Sequence, residues 1–325
     1  MTVWELKYVL LVVIRAFVVF LLSLDNNAIP ENFSRDDIIV EDRRHLIFGI
    51  DAQISVLRRA SRWYVDGTFK CMRLPFVMLL TIHVFVKRAD CSKQVPLLFA
   101  LMTGRKARDY VAVFESIKNA IVGQCAVEGM VLDYERGLWK AAKDVFPAIE
   151  LRGCAFHWGQ AIWRTVQRLG LATQYSQDRR THAFIRKVLS LPFLPKEHIR
   201  PTFECMKDYT SSEAVLPFIC ILELNFSPPG WHRRLNMKTG AAPPFYVLLQ
   251  VLHLEAKDVE EQIHLVSELS LRRIQRKSTR SMQSRLFSAW DAYTAGDIST
   301  SGLLKKVSVI YGHRVLRTEK VEDED

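Results

Sequence analysis

The protein has 325 residues, of which 49% are hydrophobic and 25% are charged, as in an ordinary globular protein. Its net charge of +10 favours an acidic partner, most often nucleic acid. The six cysteines are scattered and form no C-x-x-C pair, so the spacing suggests neither a disulfide framework nor a four-cysteine zinc module. Reduced thiols in an intracellular compartment fit best.

The first feature in the chain is an apolar segment at 8–22, which is interrupted by Arg15. It resembles a signal anchor or a short membrane span. A charge in the middle of a span costs about 2.5–3.5 kcal/mol, so a helix or strand partly buried in a core is the favoured alternative. Membrane attachment stays open, and we assign no structure to residues 1–44.

The central part of the sequence predicts strands first and then alternating helices and strands. Three runs rich in β-branched and aromatic residues follow one another with short links, which indicates an antiparallel meander at 61–71, 76–86 and 94–102. The pattern then changes to helical periodicity at 107–122, with Tyr110, Val113, Phe114 and Ile117 on one face. The later predictions are a strand at 129–135, a helix at 136–146, a strand at 149–157 and a helix at 158–171.

This order predicts an α/β protein with an RNase H-like mixed sheet, in which three antiparallel strands precede crossover-linked parallel strands. Strand signals fade after residue 176, and the C-terminal part reads as mostly helical. The predicted divisions are an N-terminal segment at 1–44, the core at 45–175, a helical part at 176–310 and a charged tail at 311–325.

Two aspartates stand out because each accompanies a buried strand. Asp66 lies in "WYVDGTFK" and Asp133 at the end of "GMVLDYE". In this topology their strands are neighbours, so the two carboxylates would repel each other unless they are protonated or bridged by cations. Mg²⁺, which prefers oxygen ligands, would relieve the repulsion. The alternative is that Asp66 turns the chain, since Asp-Gly is common in hairpins, and that Asp133 caps the next helix.

Two further motifs carry polar and basic side chains. Cys154 and His157 form C-x-x-H, which alone is only half a zinc site, so the pattern by itself favours a buried thiol and a helix-capping imidazole over a metal site. The segment "GWHRRLN" suits either contacts to DNA phosphates or a solvated helix face, and it contains Trp231, His232, Arg233 and Arg234.

A basic run at 271–285 holds six cations and no acid. It predicts contacts to DNA phosphates or a nuclear address, although a solvated helix face would have the same composition. The residues predicted to bind DNA here are Arg272, Arg273, Arg276, Lys277 and Arg280.

Five segments together resemble, in order and spacing, the transposase domain of Mutator-like elements (MULEs), and in particular the animal branch often associated with a FLYWCH zinc finger. The segments are "WYVDGTFK", "PLLFALM", "VLDYERGLWKAAKDVFP", "GCAFHWGQAIWRTVQRLGL" and "GWHRRLN". The resemblance spans about residues 45–310. It implies a nuclear protein with an RNase H-like core, a DDE triad that binds Mg²⁺, and cleavage and strand transfer of DNA. Asp66 matches the first acid, Asp133 the second, and Cys154 and His157 the family's C-x-x-H signature.

The sequence departs from the family where the third acid is expected, directly before G-W-H. Pro229 stands in that position. Glu223 lies six positions upstream, and Pro228 and Pro229 prevent a helical turn that would bring it into register. We therefore assign no third ligand, and we predict that catalysis is impaired.

Four functions stay open at this point. The leading interpretation is a transposase-derived protein that binds DNA with impaired catalysis. The alternatives are a DDE transposase with an unrecognised third carboxylate, a domesticated transcription regulator, and a membrane-anchored protein whose transposase-like body is incidental. DNA is the expected partner, with a homo-oligomer as a further expectation.

Overall fold

The protein is represented by a computed structural model, which describes residues 23–88, 91–121, 123–208, 231–267 and 277–319. The apolar segment at 8–22 lies outside these ranges, so its interpretation stays a prediction. Within them, no helix combines the length and apolar character needed to cross a membrane.

A seven-stranded mixed sheet forms the centre of the fold, and it confirms the predicted fold class. The strands lie side by side in the order β1-β2-β5-β4-β3-β6-β7. β3 pairs antiparallel with β4, β4 antiparallel with β5, and β3 parallel with β6. The strands are β1 (Ser34–Val40), β2 (Arg43–Phe48), β3 (Arg62–Thr68), β4 (Met78–Arg88), β5 (Cys91–Met102), β6 (Gly129–Leu132) and β7 (Glu150–Gly153).

Two parts of the sheet differ from the prediction. β1 and β2 form an antiparallel hairpin that extends the sheet beyond β5, whereas no structure was assigned to residues 1–44 from the sequence. Pairing between β4 and β5 continues as far as Arg88 and Cys91, so both strands extend into the polar segment that was predicted to link them. In β1 and β2, and where β4 meets β5, strand pairing through the backbone therefore forms even though many of the side chains are polar.

The described residues include eleven α-helices. They are α1 (Asp51–Arg59), α2 (Ala107–Ala120), α3 (Arg136–Val145), α4 (Ala155–Arg168), α5 (Ala172–Gln177), α6 (Arg179–Ser190), α7 (Lys196–Asp208), α8 (Trp231–Thr239), α9 (Phe245–Ser267), α10 (Lys277–Thr294) and α11 (Thr300–Glu319).

Each face of the sheet carries its own apolar core, because side chains alternate between the two faces along a strand. One core joins Val65, Leu80 and Leu132 to the buried sides of α2 and α3. The residues predicted for the inner face of α2 are all fully buried there. The other core joins Leu79, Phe99 and Leu101 to α9 and to Leu235 of α8.

The chain divides into two compact units that do not follow simple chain order. The first contains the described residues up to Arg152 together with α8 and α9, and the second contains α4 to α7 together with α10 and α11. In the second unit, α6 packs against α11, α5 and α4, and the indole Nε1 of Trp158 donates to the carbonyl of Val188 at 2.8 Å. Apart from Gly153, the last residue of β7, the regular secondary structure described in the second unit is helical.

Candidate functional site

The parallel pairing of β3 with β6 brings Asp66 and Asp133 to equivalent positions on neighbouring strands. The last paired residues are Val65 and Leu132, and each aspartate is the next residue along its strand direction. Val65 and Leu132 both belong to the core under α2 and α3, so alternation places the following side chains on the opposite face. Neighbouring strands lie about 4.8 Å apart. The two aspartates therefore lie at the same end of neighbouring strands, which we call the aspartate edge, and their side chains leave the sheet on the same face.

Asp66 lies inside a strand and not in a turn. It pairs with Thr81 of β4, and the following residue, Gly67, pairs with Leu80. The Asp66 Oδ1 accepts a hydrogen bond from the Gly67 amide at 2.8 Å, and the Thr81 hydroxyl donates to the Asp66 carbonyl at 3.3 Å. The hairpin-turn interpretation of Asp-Gly is therefore wrong, because strand pairing continues through both residues.

Asp133 is held firmly between β6 and α3. Only 9% of its surface is exposed. Its Oδ1 accepts from the amide of Tyr134 at 2.6 Å, and its carbonyl accepts from the indole Nε1 of Trp139 at 2.6 Å. The N-cap residue of α3 is Glu135. The interpretation of Asp133 as the helix cap is therefore wrong, since it lies two positions too early.

Glu135 is a third carboxyl group close to this edge, and nothing in the sequence pattern assigned it a role. Burial raises its pKa above the ordinary value, although a hydrogen bond with Tyr110 and the charge of Arg105 oppose the shift. Tyr110 is fully buried, and its hydroxyl also lies 3.7 Å from the sulfur of Met78. Burial, together with the charge of Glu135, raises the pKa of Tyr110 as well. Glu135 is thus hydrogen-bonded to Tyr110, which belongs to the core under α2 and α3.

No third acid completes the pair in the part of the chain that the structure describes. There, no group of three or more histidine, cysteine, aspartate or glutamate side chains lies close enough to hold a metal ion. Pro229 and Glu223 lie outside the described residues, so the assignment at the family's third position stays a prediction.

Exposed cations occur in the two segments that leave the sheet at the end where the aspartates lie. β5 runs parallel to β3, since both are antiparallel to β4, so the segments after β3 and β5 leave the sheet at this edge. Phe69 keeps 41% of its surface exposed there, and the guanidinium carbon of Arg105 lies 4.9 Å from its ring centre. The exposed cations of these two segments are Lys70, Arg73, Arg105 and Lys106. Of these four, only Lys70 lies in the motif around Asp66, where it ends "DGTFK".

Cys154 and His157 lie at the start of α4, in the second compact unit. Cys154 is the N-cap residue of the helix, directly after β7. His157 is within the helix, 1% exposed, and its ring lies 5.8 Å from that of Phe156. The strand predicted to reach residue 157 therefore ends earlier, at Gly153. The imidazole is a buried helical side chain and does not cap the helix.

Arg234, predicted to contact DNA, has a partner inside the protein. Its guanidinium pairs with the carboxylate of Glu255, which is 1% exposed. Lys238, one turn along α8, lies 2.5 Å from the same carboxylate. About 44% of the Arg234 side chain is exposed, so the pair lies at the boundary between core and solvent. This pair fastens α8 to α9.

The other predicted DNA contacts cannot be placed by their side chains. Those of Trp231, His232 and Arg233 lie outside the described side chains, although their backbone begins α8. Arg272, Arg273 and Arg276 lie outside the described residues, and Lys277 and Arg280 are described only through the backbone of α10. Their role in DNA binding stays a prediction.

The stretch from β3 to the first half of α4 carries both aspartates and the C-x-x-H motif. Residues 62–161 match the family model of the MULE transposase domain. The MULE match includes Asp66, Asp133, Cys154 and His157, and it ends before α8. No curated protein matches the chain.

Proposed function

We propose that this protein derives from a MULE transposase of the animal, FLYWCH-associated type and binds DNA in the nucleus along the edge that holds Asp66 and Asp133. The observation that carries the proposal is the register of β3 and β6, which sets the two aspartates side by side within the MULE match. Phosphodiester chemistry at such an edge needs acidic ligands for Mg²⁺ beside cations for the DNA backbone. Both kinds of residue occur here.

The two aspartates fit one Mg²⁺ ion better than a complete two-metal site. Carboxylate oxygens are the ligands that Mg²⁺ prefers, and Asp66 and Asp133 would hold it. The ion would supply positive charge opposite the phosphate oxygens of DNA. A second ion requires a further carboxylate, and Pro229 stands where the family carries it. We therefore propose that DNA cleavage and strand transfer are impaired.

Charge supports DNA as the partner. The chain has a net charge of +10, and the segments after β3 and β5 place exposed cations around the aspartates. Lysine and arginine side chains that neutralise phosphates release counterions, so binding of this kind weakens steeply with salt. Without base-specific contacts from this edge, sequence preference would be weak.

Duplex DNA binding over a range of salt concentrations tests the proposal. We compare the wild type with Lys70→Ala/Lys106→Ala at the aspartate edge and with Arg59→Ala/Lys143→Ala as a control. The control residues are exposed and lie at the far ends of α1 and α3. Each lost phosphate contact makes the plot of log K against log salt less steep by about 1. A shallower slope in the edge variant, but not in the control, supports the proposal. Equal slopes in all three proteins would contradict it.

A nicking assay separates this proposal from a complete DDE enzyme. We expect no Mg²⁺-dependent nicking or joining of DNA by the wild type. Nicking that Asp66→Asn abolishes would contradict impaired catalysis and would require a third carboxylate outside the described residues.

A further inference from the structure

Phe69 is an unusual residue to find exposed beside two aspartates. It follows β3 directly, three positions after Asp66, and 41% of its surface is accessible. Large aromatic side chains carry much apolar surface, so a partner that covers an exposed ring lowers the free energy of the complex. The ring therefore offers a flat apolar surface at the edge proposed to bind DNA.

Arg105 converts this ring into a charged platform. Its guanidinium carbon lies 4.9 Å from the ring centre, within the range of a cation–π contact. Arg105 itself is exposed, and its charge also acts on Glu135, the residue two positions beyond Asp133. One cation thus links the segment that follows Asp66 to the segment that follows Asp133.

The segment that carries Arg105 is fixed from below. Asp109 is fully buried, accepts a hydrogen bond from the Lys106 amide at 2.6 Å and pairs with Arg43. The neighbouring Gly104 leaves no room for a side chain, since a Cβ there would lie 2.5 Å from the Cδ of Arg43. The backbone on both sides of Arg105 is therefore anchored by Asp109 and Arg43, and binding would not have to order this segment first.

We propose that Phe69 and Arg105 form a stacking site for an unpaired nucleobase of a DNA strand whose phosphates cross the aspartate edge. Proteins that bind single strands combine a basic path for the backbone with aromatic rings on which bases stack. Here Lys70, Arg73 and Lys106 supply the basic path. Bases in an intact duplex are already stacked on their neighbours, so the site would select a frayed or single-stranded end. This inference rests on the proposed DNA binding at the same edge.

Fluorescence of a single-stranded DNA oligonucleotide that contains 2-aminopurine tests the inference, because this base loses emission when it stacks. A blunt duplex of the same sequence measures binding to the phosphates. We compare the wild type with Phe69→Leu, which keeps apolar volume without the aromatic face, and with Phe69→Trp, which keeps the face. Phe287→Leu is the matched control, since Phe287 is 60% exposed on α10 in the second unit.

We expect Phe69→Leu to weaken single-strand binding about tenfold and to remove the quenching, while duplex binding stays unchanged. Phe69→Trp and Phe287→Leu should behave like the wild type. Two results would overturn the stacking site alone. In the first, the wild type binds the duplex but does not quench 2-aminopurine in the single strand. In the second, Phe69→Leu loses the same affinity for the single strand and for the duplex. A wild-type protein that binds neither DNA at low salt would overturn the proposed function as well.

Discussion

The sulfur of Met78 occupies the space that a side chain on Gly67 would need. A Cβ at position 67 would lie 2.8 Å from that sulfur, and Gly67 is fully paired with Leu80 in the sheet. The glycine of the Asp-Gly pair thus lies in a paired strand, where the Met78 side chain fills the space beside it, and not in a turn. It also donates its amide to the carboxylate of Asp66.

Replacing Gly67 should therefore disturb both stability and the site. We expect Gly67→Ala to lower the free energy of unfolding by about 1–3 kcal/mol, because the added methyl group overpacks the core around Met78. Urea denaturation measures the change. Gly49→Ala is the control, since a Cβ there would meet its nearest neighbours at ordinary contact distances from 3.5 Å. Equal effects of the two substitutions would refute the packing explanation.

Glu135 should make stability depend on pH. Burial raises its pKa in the folded protein, so the folded state binds this proton more tightly than the unfolded state does. The contribution of Glu135 to the unfolding free energy is therefore complete below the ordinary glutamate pKa. It is lost as the pH rises through the raised pKa of the folded protein. Glu135→Gln keeps an acceptor for Tyr110 and removes the titration.

We expect Glu135→Gln to equal or exceed the wild type in unfolding free energy at neutral pH, with the advantage vanishing in acid. Urea midpoints at both pH values measure this difference. A variant that is less stable than the wild type at neutral pH, but not in acid, would show that the ionised carboxylate stabilises the fold.

The buried carboxylate of Glu255 depends on its two cations. Arg234→Met together with Lys238→Met removes both of these cations from the buried charge, and we expect a loss of up to about 3 kcal/mol in unfolding free energy. Adding Glu255→Met should recover most of the loss, because the buried charge is then gone. If the triple variant is as unstable as the double variant, the loss comes from packing and the ion pairs carry little stability.

The sequence revealed the parts of the fold that depend on local pattern. The strand that contains Asp66 and the apolar face of α2 follow from periodicity, and the structure confirms them. The strand predicted at 129–135 also exists, but it covers only Gly129–Leu132 and ends before Asp133. Strand order placed β3 beside β6, which was enough to bring the two aspartates together.

Other features depend on contacts between distant residues, which pattern does not show. β1 lies at the end of the sheet, and none of its residues is fully buried. Its only apolar run is the short Ile38–Ile39–Val40, which follows two aspartates and is a weak strand signal. From the sequence, α9 was predicted to belong to the helical part at 176–310, whereas it packs on the sheet in the first unit. The pattern could not show this, because a helix packed on a sheet and a helix packed on other helices have the same periodicity. The contacts of Gly67 with Met78 and of Glu135 with Tyr110 join residues far apart in sequence.

The central claim is that Asp66 and Asp133 lie together at the DNA-binding edge and share a cation. Its most direct test is DNA affinity with and without millimolar Mg²⁺ at constant ionic strength. The proteins are the wild type, Asp66→Asn/Asp133→Asn, and a control, Asp291→Asn/Asp297→Asn, whose aspartates are exposed in the second unit. Both variants gain the same charge, and competition of Mg²⁺ for phosphates affects all three proteins alike.

Without Mg²⁺, we expect the site variant to bind DNA several-fold more tightly than the wild type and the control, because two carboxylates no longer repel the phosphates. With Mg²⁺, the wild type should recover most of this difference, since the ion neutralises the aspartates. A site variant whose affinities match those of the control in both conditions would contradict the claim.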